Sequence, residues 1–254
     1  MERTCLGVLA AMPQEIAPLL RRMKKGYRKE RAAGFNLYRF ELEGRGVALI
    51  ESGMGAAHAR SATEALISLA RPGAILNFGL CGGVLPGLAL GELVLAERVF
   101  WLAQGRLTLE AQPDPELSRL VLEGCASAGV RVKRGSFITA AAIMNKKEVA
   151  LSLADGAAHP VLEMETAAVL RAAGERGIPA LALRGVSDPW DEELAFSLEE
   201  FCDSELRISP ARVLGCIARK PWIIPQLIRL SGNAKKAGEK LALGVETALR
   251  ALAR

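Results

Sequence analysis

The chain has 254 residues, half of them hydrophobic and only 5% aromatic, enough for one large core built mainly from Ala, Leu, Val and Ile. Its net charge of +5 is uneven: residues 207–254 carry +8 and the remainder −3, and no basic, aromatic-interleaved surface argues for nucleic acid. Two His and five scattered Cys without a CxxC pair exclude a His-rich metal centre, argue against a zinc site or disulfide framework, and suit a cytoplasmic protein.

Residues 5–11 (CLGVLAA) predict a buried strand rather than a signal peptide, and a helix follows over 13–25, with Pro13 tolerated in its first turn. Residues 35–42 and 46–52 predict a hairpin, and 55–70 a helix behind a Gly-rich turn. Residues 74–80 predict a buried strand entering a Gly-rich loop, and 91–100 another strand. A helix near 114–128, a strand over 131–138 and a helix over 145–154 come next. The stretch VLEMETAAVL opens a helix running from Met164 to Arg176, and 179–188 predict a strand. Residues 197–254 read as helical, broken at Pro210, Pro221 and Pro225. No run of 18 apolar residues indicates a transmembrane helix. The alternation predicts a single α/β domain, its helices covering a largely buried sheet, with a catalytic body over 1–205 and a basic helical extension over 206–254.

Within VLEMETAAVL, Glu163 and Glu165 flank Met164 in an apolar run, a costly setting unless each carboxylate finds partners. Ligands in such folds gather where strands end. Four segments have that character: AAMPQE with Glu15, ESGMGAAHA with Gly53 and Gly55, NFGLCGG with Gly79, Gly82 and Gly83, and LEMET together with RGVSDP. Glycine turns before helices can cradle anions, and they can equally do no more than turn tightly. Neither GxGxxG nor GxxxxGK[ST] is present, which removes the dinucleotide and P-loop readings. Asp188 ends a strand beside Ser187, which could orient its carboxyl. A partly desolvated Asp suits general acid catalysis, and Asp-Pro suits a turn or N-cap equally.

Together and in this order, GVLAAMPQE, ESGMGAAHA, NFGLCGGVLPGLALGELVLAERV, LEMETAAVL and RGVSD resemble the nucleoside phosphorylase/nucleosidase superfamily. The likeness is greatest to methylthioadenosine/S-adenosylhomocysteine nucleosidases and futalosine hydrolases, over roughly residues 5–190. The resemblance implies a central mixed sheet, partly closed into a barrel and flanked by helices, and cleavage of a ribosyl–base bond. It implies that Glu165 binds the ribose 2′ and 3′ hydroxyls, that Met164 packs against the sugar, and that Glu163 lies at the site margin; a surface salt bridge is the alternative for Glu163. It implies Asp188 as the acid at purine N7 and Glu15 as the group that positions or deprotonates water. It implies that Gly53, Gly82 and Ser187 line the same site.

The departures are specific. Leu80 stands where nucleosidases of this group have Ser. Asn77 and Leu80 stand where hexameric phosphorylases have the Arg and Ser that hold phosphate, leaving Arg39, Arg60 or Arg184 to compensate. Ile143 replaces a base-stacking Phe, with Met144 beside it. The tail resembles hopanoid-associated phosphorylases, which remove adenine from adenosylhopane. Its PWIIPQLIRL run, near Arg219, Lys220 and Arg229, suits peripheral contact with an anionic membrane, against packing on the core or in an oligomer interface. The expectation is a cytoplasmic homo-oligomer, without metal or cofactor, that hydrolyses an adenine ribonucleoside at its N-glycosidic bond. Phosphorolysis with phosphate as co-substrate is the alternative. A non-catalytic nucleoside-binding protein is a third reading, disfavoured because binding alone requires no acid at N7.

Overall fold

Strand β1 (Leu6–Ala10) is buried at every position, as an unbroken apolar run demands of a strand covered on both faces. It lies between two parallel neighbours, β4 (Arg45–Glu51) and β5 (Ala74–Gly83). Beyond β4 the sheet continues antiparallel through β3 (Phe35–Leu42) to the edge strand β2 (Arg28–Ala32). On the other side β5 pairs with β9 (Val161–Glu163), then come β8 (Val132–Ala140), β6 (Leu93–Ala103) and β10 (Ala180–Asp188), and β10 returns to pair with β5. Five strands thus form a closed ring, and β1, β4, β3 and β2 extend from it as an open wing; β7 (Arg106–Ala111) folds back on β6. This computed structural model describes residues 4–23, 26–142, 144–153, 157–192, 198–201 and 210–254.

The strand period of two divides the core. Val8, Leu76 and Leu183 face α1 (Pro13–Arg22), α3 (Pro115–Ser127) and α7 (Ile224–Ala253), whereas Leu9, Ile75 and Ala182 face α2 (Ala56–Ala70) and α5 (Thr166–Gly174). The short helices α4 (Lys146–Leu151) and α6 (Pro210–Arg219) complete the described set. Helix α7 is about 45 Å long at 1.5 Å per residue. Its second half enters the core through Ala237, Leu241, Val245, Ala248, Leu249 and Leu252. Its first half leaves Ile224 and Ile228 exposed, as is Trp222 just before it.

The mixed, helix-flanked α/β sheet agrees with the expectation, and its partial closure is the five-stranded ring. Several elements differ. The first helix ends at Arg22, and α5 begins at Thr166 because residues 161–163 are a strand. Strand β5 runs through Gly83 instead of ending in a loop at residue 80, and Gly79, Gly82 and Gly83 keep extended backbones without positive φ. Pro210 and Pro225 do not break helices but sit in the first turns of α6 and α7, where a missing N–H costs nothing.

Candidate active site

Arg184 lies midway along apolar β10 and is 1% exposed. A guanidinium in such a place needs countercharge and acceptors. Its Nη2 lies 2.5 Å from Glu163 Oε2, 2.9 Å from Asn77 Oδ1, 3.0 Å from Thr166 Oγ1 and 3.5 Å from Glu165 Oε2. Glu163 also accepts the Thr139 hydroxyl, the Thr166 hydroxyl at 2.7 Å, and the N–H groups of Glu165 and Thr166 at 3.0 and 2.8 Å. It therefore caps α5. Burial works to raise its pKa, but Arg184 and the two hydroxyls overcome that and hold it below the usual carboxylate value.

Glu165, two residues on, has a different environment. Its Oε1 accepts the Gly55 N–H at 2.9 Å, at the start of α2. Gly55 has φ +92°, which L side chains rarely adopt. The anion at this helix N-terminus is thus the protein's own carboxylate. Burial first, and the Glu163 charge second, push Glu165 up to about 7 against the pull of Arg184. Glu15, in the first turn of α1, accepts the Ala11 and Met12 N–H groups on Oε2 at 3.1 and 2.9 Å and the Leu80 N–H on Oε1 at 2.8 Å. Burial raises its pKa as well, opposed by the Leu80 N–H and Arg184. A Cβ on Gly79 would sit 2.8 Å from Glu15 Oε1 and 3.0 Å from Arg184 Nη1, so only glycine lets these groups close over β5.

At the end of β10, Asp188 is 25% exposed at its side chain. Ser187 Oγ donates to its Oδ1 at 2.6 Å, and Lys146 Nζ lies 2.5 Å from Oδ2. Burial pushes the Asp188 carboxyl up and Lys146 pulls it back, leaving it above the ordinary value. A Cβ on Gly82, its strand partner, would stand 2.7 Å from Asp188 Oδ2. A cavity of about 510 Å³, lined by Met12, Phe35, Ser52, Gly53, Met54 and His58 among others, opens beside the first turn of α1, which carries Glu15, and the turn before α2 that carries Gly55.

The sequence profile of the phosphorylase superfamily matches residues 6–217. The chain belongs to the phosphorylase superfamily. Over 227 residues it is 29% identical to the 5′-methylthioadenosine/S-adenosylhomocysteine nucleosidase of Haemophilus influenzae strain 86-028NP, an alignment covering 84% of this chain and 98% of that one. A Helicobacter pylori futalosine hydrolase mutant superposes with a TM-score of 0.75 at 16% identity, covering 97% of this chain and 98% of that one. A Helicobacter pylori nucleosidase with one Asp changed to Asn and 5′-methylthioadenosine in its active site gives 0.75 at 16% identity, covering 98% and 99%. These two structures share the fold.

In this phosphorylase-superfamily chain, Glu15, Glu163 and Glu165 gather around Arg184, and Ser187 and Asp188 end the same strand. Glu163 is not the surface salt bridge considered from sequence: it is 5% exposed, and its contacts make it a support for Glu165 and Arg184. Met164 is half-buried between the two carboxylates. Gly53, with φ +83°, turns the chain between β4 and α2. Leu80 directs its N–H to Glu15 while its side chain packs on the core shared with α7. Met144 packs on Val84, Leu102, Ile138 and Val149. Ile143 lies outside the described residues. Arg39 and Arg60, the other two candidates for a phosphate, are paired with carboxylates. Arg39 pairs with Glu30, and Arg60 with Glu64 and Glu175, on the surface. Arg184 binds Glu163 through Nη2, and its buried Nε and Nη1 have no hydrogen-bond partner among the described residues. Asn77 is buried and donates to the Leu9 carbonyl at 3.2 Å.

Two residues matter more than their sequence context suggested. Arg184 could have been found as a charge inside an apolar strand. Lys146 gave no such signal, because NKKE reads as the solvated start of a helix.

Proposed function

We propose that the chain is an enzyme that hydrolyses the N-glycosidic bond of an adenine ribonucleoside and releases the free base. The observation that carries this reading is the division of labour among three carboxyls. Asp188 stands at the strand end against Lys146 and Ser187, while Glu15 and Glu165 are held by backbone N–H groups beside Arg184. Carboxyls held in such different environments suit separate acid and base roles. The named activity of the Haemophilus relative, and the 5′-methylthioadenosine in the Helicobacter structure, support adenine as the base.

Bond cleavage passes through an oxocarbenium-like state. As the C1′–N9 bond breaks, its electrons enter the purine, and Asp188 donates its proton to N7. Burial raises the affinity of Asp188 for that proton above that of an ordinary aspartate. Glu165, ionised, accepts hydrogen bonds from the sugar 2′ and 3′ hydroxyls and faces the developing cation. Glu15 Oε1 has one lone pair left beyond the Leu80 N–H and takes the proton of the water that attacks C1′.

We also propose a cytoplasmic homo-oligomer; the free thiols of Cys5, Cys81, Cys125 and Cys216 suit a reducing compartment. Among the described residues no helix is long and apolar enough to cross a membrane. Exposed Leu214, Trp222 and Ile228, with Arg219, Lys220 and Arg229 near them in sequence, support peripheral contact with an anionic bilayer.

The deciding experiment follows adenine release from adenosine, 5′-methylthioadenosine and S-adenosylhomocysteine in phosphate-free buffer, then with phosphate added. Turnover without phosphate and a free sugar product are expected. Strict phosphate dependence with a sugar 1-phosphate product would replace hydrolysis by phosphorolysis. Release from none of the three would refute the reading.

A further inference from the structure

We propose that Lys146 is a positioning residue for Asp188: clipped to the chain segment after β10, its ammonium ion holds the Asp188 carboxyl in place and stabilises the carboxylate left when the proton passes to the departing base. This assignment rests on the glycosidic-cleavage reading and adds to it a residue that acts through the acid.

A lysine at the start of a short surface helix normally keeps its ammonium in water. Lys146 does not: its side chain is 11% exposed. Four acceptors surround Nζ, namely Asp188 Oδ2 at 2.5 Å and the carbonyls of Pro189, Asp188 and Glu192 at 2.8, 3.1 and 3.2 Å. The three carbonyls belong to one stretch of chain, which wraps around the ammonium. They hold it whether Asp188 is neutral or ionised, so the cation is in place before and after proton transfer. That is the condition under which a fixed charge lowers a barrier without reorganising. Gly82 makes room: a Cβ there would stand 2.9 Å from Lys146 Cε.

The chemistry needs such a partner. Burial alone would strengthen the hold of Asp188 on its proton, and an acid that does not release its proton cannot assist a leaving group. Lys146 is the largest influence in the opposite direction. The other groups facing Asp188 do not replace it. Ser187 is a neutral hydroxyl. The Cys81 thiol on β5 is pushed up by burial and stays neutral. Glu192 acts in the wrong direction, and its own charge is met by Arg229 at 2.8 Å and by Asn233 at 3.0 Å from α7.

The test separates this role from simple anchoring of the 188–192 segment. The full-length protein and its Lys146→Met, Lys146→Arg and Asp188→Asn variants are assayed on two substrates. One is 5′-methylthioadenosine, or whichever adenine nucleoside the wild type cleaves best. The other is 4-nitrophenyl β-D-ribofuranoside, whose leaving group departs without a proton. Lys146→Met should lose roughly ten- to a hundredfold in kcat on the nucleoside, within the range of general acid assistance. Its loss on the nitrophenyl riboside should be at least about tenfold smaller, a selective pattern shared with Asp188→Asn. Lys146→Arg, keeping the charge, should recover part of the deficit. The fall of kcat/KM at high pH should move upward in Lys146→Met, because without the cation Asp188 keeps its proton to higher pH. Equal losses on both substrates, or an unmoved high-pH limb, would overturn the proposal and leave Lys146 as a structural anchor. A wild type that releases neither base nor nitrophenol would overturn the glycosidic reading itself, and this role with it.

Discussion

Glu165→Gln should make the protein more stable above pH 7 and a worse enzyme. The Glu165 carboxyl is pushed to about 7 from an ordinary 4.5 because burial and the Glu163 charge outweigh Arg184 and the Gly55 N–H. Unfolding returns it to the ordinary value. Between those two pH values the native state binds the proton more tightly than the unfolded chain does, so stability falls as pH rises through the window. At 1.36 kcal/mol per pKa unit the full effect is about 3 kcal/mol above pH 7, and it vanishes below about pH 4. Gln copies the neutral carboxyl, since its amide oxygen can still accept the Gly55 N–H. Urea unfolding of both proteins at several pH values provides the assay. Any constant offset from the new amide near Arg184 cancels when pH values are compared. The advantage of the variant should grow by about 2–3 kcal/mol from pH 5 to pH 8. A gap that is flat or shrinks over that range would refute the reasoning, because the pairing with Arg184 would then outweigh burial. On the catalytic side, wild-type kcat/KM should fall as pH drops below about 7 and Glu165 takes up its proton. The variant should discriminate poorly between ribosides and 2′-deoxyribosides.

Asp188→Asn should lower kcat by about 10²–10⁴-fold while calorimetry shows nucleoside affinity little changed, since the amide keeps its shape but has no proton to give. Gly82→Ala places a Cβ 2.7 Å from Asp188 Oδ2 and 2.9 Å from Lys146 Cε, so stopped-flow measurement of base release should show a kcat at least about tenfold lower with the fold intact. Replacing Trp222 and Ile228, each 69% exposed, with Ser should abolish co-sedimentation with phosphatidylserine vesicles and leave Tm within a degree or two.

The long apolar strands were legible because burial on both faces leaves a continuous hydrophobic run, as in β1 and β5. The elements that were not legible lack that run for physical reasons. β2 is RKERA, an edge strand whose charges face water, and β7 is RLTLEA, likewise partly exposed. β9 has three residues, too few for any period, and its paired carboxylates looked like the start of a helix. In fact Glu163 ends the strand and caps the helix that follows, a role visible only once Thr166 and Arg184 are placed around it. The glycines of NFGLCGG suggested a turn. They are flat places in a strand, and Gly79 and Gly82 are required there by side chains approaching from other parts of the chain. Glu15, Glu165 and Asp188 stood out because acids near strand ends are unusual. Lys146 did not, because its importance comes from three carbonyls some 42–46 positions later in the chain.

The late docking of α7 also shapes how the protein is made. Every acidic group around Arg184, and Asp188 with Lys146, has been synthesised by residue 188. Yet the side of β6 and β10 that carries Leu93 and Leu183 is closed only when Leu241, Gly244 and Val245 arrive. Gly244 lies so near Leu93 that a Cβ there would come within 2.4 Å of it. During translation the nascent chain therefore presents an apolar strip of sheet with nothing on it, a surface prone to wrong partners. Stalled or prematurely terminated chains that stop before residue 237 would contain the acid residues but not the helix that covers this strip. Such products should appear as aggregates or chaperone-bound species rather than as a smaller active enzyme.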